Sequence, residues 1–419
     1  MGCFPGKARA GACQFKTSET PSINHYLIRI KLMENLKSTN MASERQDRFI
    51  YLDKAIQADI EAGENYGASV LVARNGKVLH RRNYGDAAPG RKTSGDDLYL
   101  MMSLSKAFTA AMVLKAIDEG KFTLDTRVDD LLPGFGANGK QTATVFHLLN
   151  HTSGLPFALV PPPLGLDKAG NLSAKAAALS HIPASYMPGT RCLYTGGVGY
   201  DALGQILVNT DLKGRTFRQI IREDLFEPLG MHSSSFGCAL DNQRRVPVSF
   251  TQKNTHPGTP AMLAMFNQHF DENAELPSGN AYATIDDVFR FCELYRNRGK
   301  AFGKRIISPA LFDYAHQDHT PGMINEAWTS EVTERSIPPL PASFTLLGGY
   351  IRGKGHVPNS AGYTASPGAF TAVGGGSTGF MIDYEKDVTV IFLSSGFREG
   401  LRHLERLKQI NDLAMAAID

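Results

Sequence analysis

Cysteine is scarce in this chain: five residues in 419, at Cys3, Cys13, Cys192, Cys238 and Cys292, an odd number with no CxxC spacing. That excludes a disulfide framework and speaks against a thiolate metal site. An excess of either charge is also missing. Lys and Arg total 44 against 41 Asp and Glu, a net charge of +3, which exerts no general pull on nucleic acid or anionic lipid. No apolar run approaches the roughly 18 residues needed to span a bilayer. The opening MGCFPGK lacks the apolar stretch of a secretion signal and has Gly6 where a myristoylation signal needs Ser or Thr. The expectation is a reduced, cytoplasmic protein with neither nucleic acid nor membrane as partner. What remains is a globular composition, 42% hydrophobic and 20% charged, with apolar side chains enough for a large core.

The chain falls into parts. Residues 1–45 mix Gly, Ser, Thr, Lys and Asn and read as a loosely ordered extension. Phe49, Leu52, Ile56 and Ile60 recur at helical spacing, so 46–62 is predicted as an amphipathic helix. Two β-branched runs at 68–74 and 77–84 flank Asn75-Gly76, a strong hairpin signal. A second hairpin is predicted from 379–383 and 388–394, and an amphipathic helix over 401–418 closes the chain. Segments 157–170, 253–280 and 315–370 read as long loops suited to substrate contacts. The expected class is α+β: an antiparallel sheet built from both chain ends and flanked by helices, plus a mostly helical insertion. Residues 46–98 with 335–419 would form the sheet region and 99–334 the helical one, with the active site between them.

The chemistry centres on Ser103-Leu104-Ser105-Lys106, at the head of an apolar helix. Ser103 and Lys106 are three apart and share a helix face. A helix N-terminus offers free N–H groups and partial positive charge, which suit an oxyanion. A lysine in apolar surroundings loses solvation of its charged form and can accept a proton. Ser103 and Lys106 therefore read as nucleophile and base, with Ser105 the competing hydroxyl.

Further motifs follow in order. They are KFTLDTRVDDLLPGF at 121–135, TVFHLLNHTSGLP at 144–156, PGTRCLYTGGVGYDALG at 188–204, EPLGM at 227–231 and GKRIISPA at 303–310. Together with the segment around Ser103 they resemble the serine β-lactamase-like family. That family takes in class C β-lactamases, penicillin-binding carboxypeptidases, family VIII carboxylesterases and the lovastatin acyltransferase. The resemblance covers the chain from about residue 46 to its end. It implies a β-lactamase/transpeptidase-like fold, Ser103 as nucleophile, Lys106 as general base and Tyr194 as the tyrosine that shares their protons. By position it also implies an oxyanion site from the Ser103 and Gly375 N–H groups, with Gly374 as the third motif's glycine. It implies no metal and no organic cofactor, and a small-molecule acyl partner, carrier-bound acyl chains included.

The sequence departs from the family in two places. After Tyr194 it has Thr195-Gly196-Gly197 instead of Ser-Asn, and counting back from Asp383 puts Ala372 where the third motif has Lys or His. An alanine supplies no charge-assisted bond to a substrate carboxylate. The expected function is thus hydrolysis or transfer of an ester, lactone or thioester acyl group. A β-lactamase or D-amino-acid peptidase is one rival, and an inactive binding module of the same fold is another. Two decoys are set aside. Gly375–Gly379 fits GxSxG with Asp383 and His403 downstream, but strand–turn–strand is the wrong context for a nucleophile elbow. His147 and His151 lack the glutamate of a zinc motif. Trp328 is a candidate pocket wall.

Overall fold

The computed structural model describes residues 48–250, 259–356 and 359–418. The extension expected over 1–45 lies outside the described residues. The elements that matter here are α1 (Ile50–Glu61), β1 (Gly67–Arg74), β2 (Lys77–Ala88), β3 (Arg91–Lys92) and α2 (Ser105–Asp118). They continue with α3 (Val198–Asn209), α4 (Thr259–Gln268), α5 (Ile285–Arg296), β4 (Tyr350–Ile351), β5 (Phe370–Gly374), β6 (Thr378–Asp383), β7 (Val388–Ser394) and α6 (Gly400–Ile418).

The strands form one seven-stranded antiparallel sheet in the order β4-β5-β6-β7-β1-β2-β3. Both predicted hairpins are present. Asn75 and Gly76 carry the two positive φ angles, 53° and 70°, that a type I′ turn requires. The chain ends meet at the centre, where β1 pairs with β7 from Ala68↔Ser394 to Arg74↔Val388. β1 is buried along all but its last residue because both sheet faces are covered.

Strand alternation sorts the side chains. Val70, Val72, Met381, Val390 and Phe392 face α1 and α6, packing on Leu52, Ile56, Leu407 and Ile410. Leu71, Phe380, Ile382, Ile391 and Leu393 face the other way, onto α2 and α5. Each fully buried side chain of this kind is worth about 1.5–3 kcal/mol. α2 is apolar nearly all round and almost wholly buried, as a central helix must be. The described residues from Phe49 onward belong to one compact unit.

The sequence reading of 253–280 as loop is corrected over Thr259–Gln268, which is α4. Met262, Met265 and Phe266 stand at i, i+3 and i+4, a helical stripe that the surrounding Pro, Asn and His residues conceal in the sequence. Among the described residues no helix is long and apolar enough to cross a membrane. Cys192, Cys238 and Cys292 are free and buried.

Candidate active site

Ser103 sits in a single 3₁₀ turn, Met102–Leu104, that leads into α2. Met102 before it holds φ 50°, a left-handed backbone that costs a non-glycine residue about 1–2 kcal/mol. Strain of this sort persists where the surroundings impose it. Here Thr378 Oγ1 grips the Met101 carbonyl at 2.8 Å and Met101 N–H bonds the Ala281 carbonyl at 2.8 Å.

The three-residue spacing brings the Lys106 amine to 3.1 Å from Ser103 Oγ, to which it donates. The Tyr194 hydroxyl, from the loop before α3, donates to the same oxygen at 2.6 Å. The second Lys106 partner is the Ser278 carbonyl at 2.9 Å, so the amine is held by a hydroxyl and a peptide oxygen rather than by a carboxylate. It also lies 5.0 Å and 5.6 Å from the ring centres of Tyr194 and Tyr200. Lys106 is 2% exposed. His151 packs on Tyr194 with ring centres 4.7 Å apart. Burial holds its imidazole well below the usual histidine range. His151 is therefore a neutral neighbour, with Nδ1 3.1 Å from Thr195 Oγ1.

Ser105, the competing hydroxyl, is fully buried and accepts the Ala281 N–H at 3.0 Å. The GxSxG decoy dissolves in the same way. Ser377 lies in the β5–β6 turn and its N–H donates to the Gly374 carbonyl. Asp383 accepts from Ser366, Glu385 and Lys386 N–H groups, and His403 is engaged with the Thr378 carbonyl and Arg406. His147 caps its own helix through Thr144. Among the described residues no group of His, Cys, Asp or Glu is arranged to hold a metal ion.

A cavity of about 440 Å³ opens over Ser103, within the range that encloses drug-sized ligands. Its lining includes Phe157 and two packed groups, Leu159, Met265, Phe266 and Leu276 in one and Trp328, Leu340 and Leu404 in the other. Gly375 and Gly376 line it, as Ser103 does. Gly374 precedes them in the chain. A Cβ there would lie 2.1 Å from the Met101 carbonyl oxygen, so only glycine lets β5 come this close to the serine turn. Val373 faces the cavity, whereas Ala372 is buried in the core beneath α2. Of the triplet Ala372-Val373-Gly374 the side chain at the cavity wall is thus that of Val373, and neither alanine nor valine offers a charge. Lys106 is the only Lys or Arg among the described residues lining the cavity, and the two lining carboxylates are Glu331 and Glu399.

An antiparallel sheet built from both chain ends, with the Ser103 turn and its helix packed beside it, defines a class by its fold: the β-lactamase fold. The Beta-lactamase family model matches residues 52–415, and the chain belongs to that family. It is 28% identical over 224 residues to Protein flp of Staphylococcus aureus (strain N315), a match covering 52% of this chain and 44% of that protein. The chain thus spans less than half the length of that relative. Among solved structures it is similar to EstCE1, a hydrolase with promiscuous acyltransferase activity, with TM-score 0.70 and 20% identity over 90% of this chain and 99% of that one. It is likewise similar to a family VIII carboxylesterase, with TM-score 0.67 and 20% identity over 88% and 97%. At these identities the likeness is one of fold.

Proposed function

We propose that this chain is a serine esterase or acyltransferase that handles neutral, apolar acyl esters, lactones or thioesters through an acyl-enzyme at Ser103. The observation that carries the reading is the convergence of the Lys106 amine and the Tyr194 hydroxyl on one serine oxygen, inside an apolar cavity. In the proposed reaction Ser103 Oγ attacks the substrate carbonyl carbon and its proton passes to the unprotonated Lys106 amine, which keeps one N–H on the Ser278 carbonyl. The carbonyl π electrons move to oxygen. The oxyanion is met by the Ser103 and Gly375 N–H groups, a role needing backbone and no particular side chain. Collapse breaks the bond to the leaving oxygen or sulfur, which takes the proton back by way of Lys106 and Tyr194. Water or an acceptor alcohol or amine then repeats the sequence in reverse.

The lining favours uncharged substrates. Among the described residues that line the cavity, a carboxylate of the kind β-lactams and D-peptides carry would meet no arginine and no lysine other than Lys106, and it would share the lining with the carboxylates of Glu331 and Glu399. Intact-protein mass spectrometry tests the proposal with a panel of neutral acyl esters, acyl thioesters and a cephalosporin. The expected result is an acyl adduct from the esters or thioesters and none from the cephalosporin. An adduct from the cephalosporin alone would reverse the substrate assignment. No adduct from any, with the protein folded, would leave a binding module.

A further inference from the structure

Lys106 takes its aim from a main-chain oxygen, the Ser278 carbonyl at 2.9 Å. That carbonyl belongs to a turn closed by the Gly279 N–H on the Leu276 carbonyl at 2.9 Å. On the α2 side the turn is pinned by Thr109 Oγ1 on the Pro277 carbonyl (2.6 Å) and by the Ala281 N–H on Ser105 Oγ (3.0 Å). On the opposite side it is held by a charge. The Ser278 N–H donates to Asp201 Oδ1 at 3.2 Å, and the other oxygen of that carboxylate pairs with Lys175.

Both members of this ion pair are out of solvent, each side chain 1% exposed. Asp201 is a lone charge in the first turn of α3, otherwise VGYDALGQIL, and Lys175 is a lone charge in the short helix Leu172–Ala178. A buried ion pair adds little net stability, because desolvation consumes the Coulombic gain and well-packed apolar residues often serve as well. Such a pair needs another reason to be here. The geometry supplies one, since one carboxylate oxygen is committed to the residue that holds the base.

We propose that Asp201 and Lys175 are positioning residues for Lys106. Lys175 fixes the Asp201 carboxylate, Asp201 fixes the Ser278 main chain, and the Ser278 carbonyl directs the Lys106 amine at Ser103 Oγ. The inference rests on the reading of Ser103 and Lys106 as nucleophile and base. It adds a charged relay that reaches the reaction only through main chain.

The test is saturation kinetics of a fluorophosphonate reacting with Ser103 in the full chain, which separates the inactivation rate from the affinity of the reversible complex. Two double variants remove the charges together, so that no unpaired buried ion remains. Lys175→Met/Asp201→Leu deletes the acceptor for the Ser278 N–H, whereas Lys175→Met/Asp201→Asn keeps one. The Leu variant is expected to react about 10–100-fold more slowly at saturation, the effect of a base displaced by a fraction of an ångström to an ångström, with affinity within about twofold and a thermal midpoint near wild type. The Asn variant is expected to recover most of that rate. A folded Leu variant reacting as fast as wild type, or an Asn variant as slow as the Leu variant, overturns the proposal. If the Leu variant does not fold, Lys175→Ala/Asp201→Ala is read by the same criteria. A wild-type protein that takes no label at Ser103 overturns the reading of the site itself and this inference with it. A labelled wild type beside an equally fast Leu variant overturns this inference alone.

Discussion

Gly374 and Gly375 are neighbours in one glycine run, yet replacing each with alanine has opposite expected consequences. A Cβ at Gly374 would stand 2.0 Å from Thr378 Oγ1 and 2.1 Å from the Met101 carbonyl oxygen, where ordinary contact begins near 3.4 Å. Thr378 could rotate, but the Met101 oxygen is backbone, so β5 and the serine turn must part by roughly 1 Å. Overpacking of this sort costs about 1–3 kcal/mol. Losing the Thr378–Met101 hydrogen bond adds about 0.5–1.5 kcal/mol, so Gly374→Ala should destabilise by about 1.5–4.5 kcal/mol. The same displacement moves Gly375 away from Ser103 and should slow acylation about 10²-fold. At Gly375 nothing lies within 4 Å of an added Cβ, so Gly375→Ala should stay within about 0.5 kcal/mol of wild type. Urea unfolding midpoints and the rate of fluorophosphonate labelling measure both effects. Equal stabilities for the two variants, or a Gly374→Ala protein that labels at the wild-type rate, would refute the packing argument.

Three further outcomes are expected. Tyr194→Phe removes the 2.6 Å donor to Ser103 while keeping the ring stacked on Phe344; acylation should fall at least about 10²-fold with the thermal midpoint unchanged, checked by stopped-flow release of p-nitrophenol. Trp328→Ala enlarges the cavity on the Leu340 and Leu404 side, so the ratio of kcat/KM for decanoate over butanoate p-nitrophenyl esters should rise several-fold. His316→Phe addresses acid stability. Burial pulls the His316 imidazole down to about 4, whereas an unfolded histidine titrates near 6.5. Between those values the unfolded chain binds the extra proton, so stability falls as pH drops from about 7 towards 4. The phenylalanine variant should lose less of its urea midpoint between pH 7.5 and 5 than wild type does, and equal losses would count against the burial argument.

The parts of the molecule written in local pattern were legible in the sequence. Asn75-Gly76 announced its hairpin, the alternation of 379–383 and 388–394 announced the other, and the spacing of Ser103 and Lys106 put a hydroxyl and an amine on one turn. The helix over 259–268 was hidden because Pro, Asn and His around it mask its apolar stripe. Which side chain of the triplet Ala372-Val373-Gly374 meets the cavity was not legible, because in a run of three glycines no side chain marks which face a strand residue takes; the structure puts Val373 there and pairs Gly374 with Thr378. Ser278 could not be found from sequence at all, since it acts through a peptide carbonyl 172 residues from Lys106. Asp201 and Lys175 did leave a trace: single charges inside otherwise apolar or alanine-rich helical segments are costly unless paired, and two such charges suggest each other.

The central claim is that Ser103 is the hydroxyl made reactive by Lys106 and Tyr194. Peptide mapping after fluorophosphonate treatment tests it most directly, comparing the wild type with Ser103→Ala and Lys106→Met. The account predicts one adduct, on the peptide that carries Ser103, absent from Ser103→Ala and nearly absent from Lys106→Met. An adduct on Ser105 or Ser377, or undiminished labelling without the Lys106 amine, would contradict it.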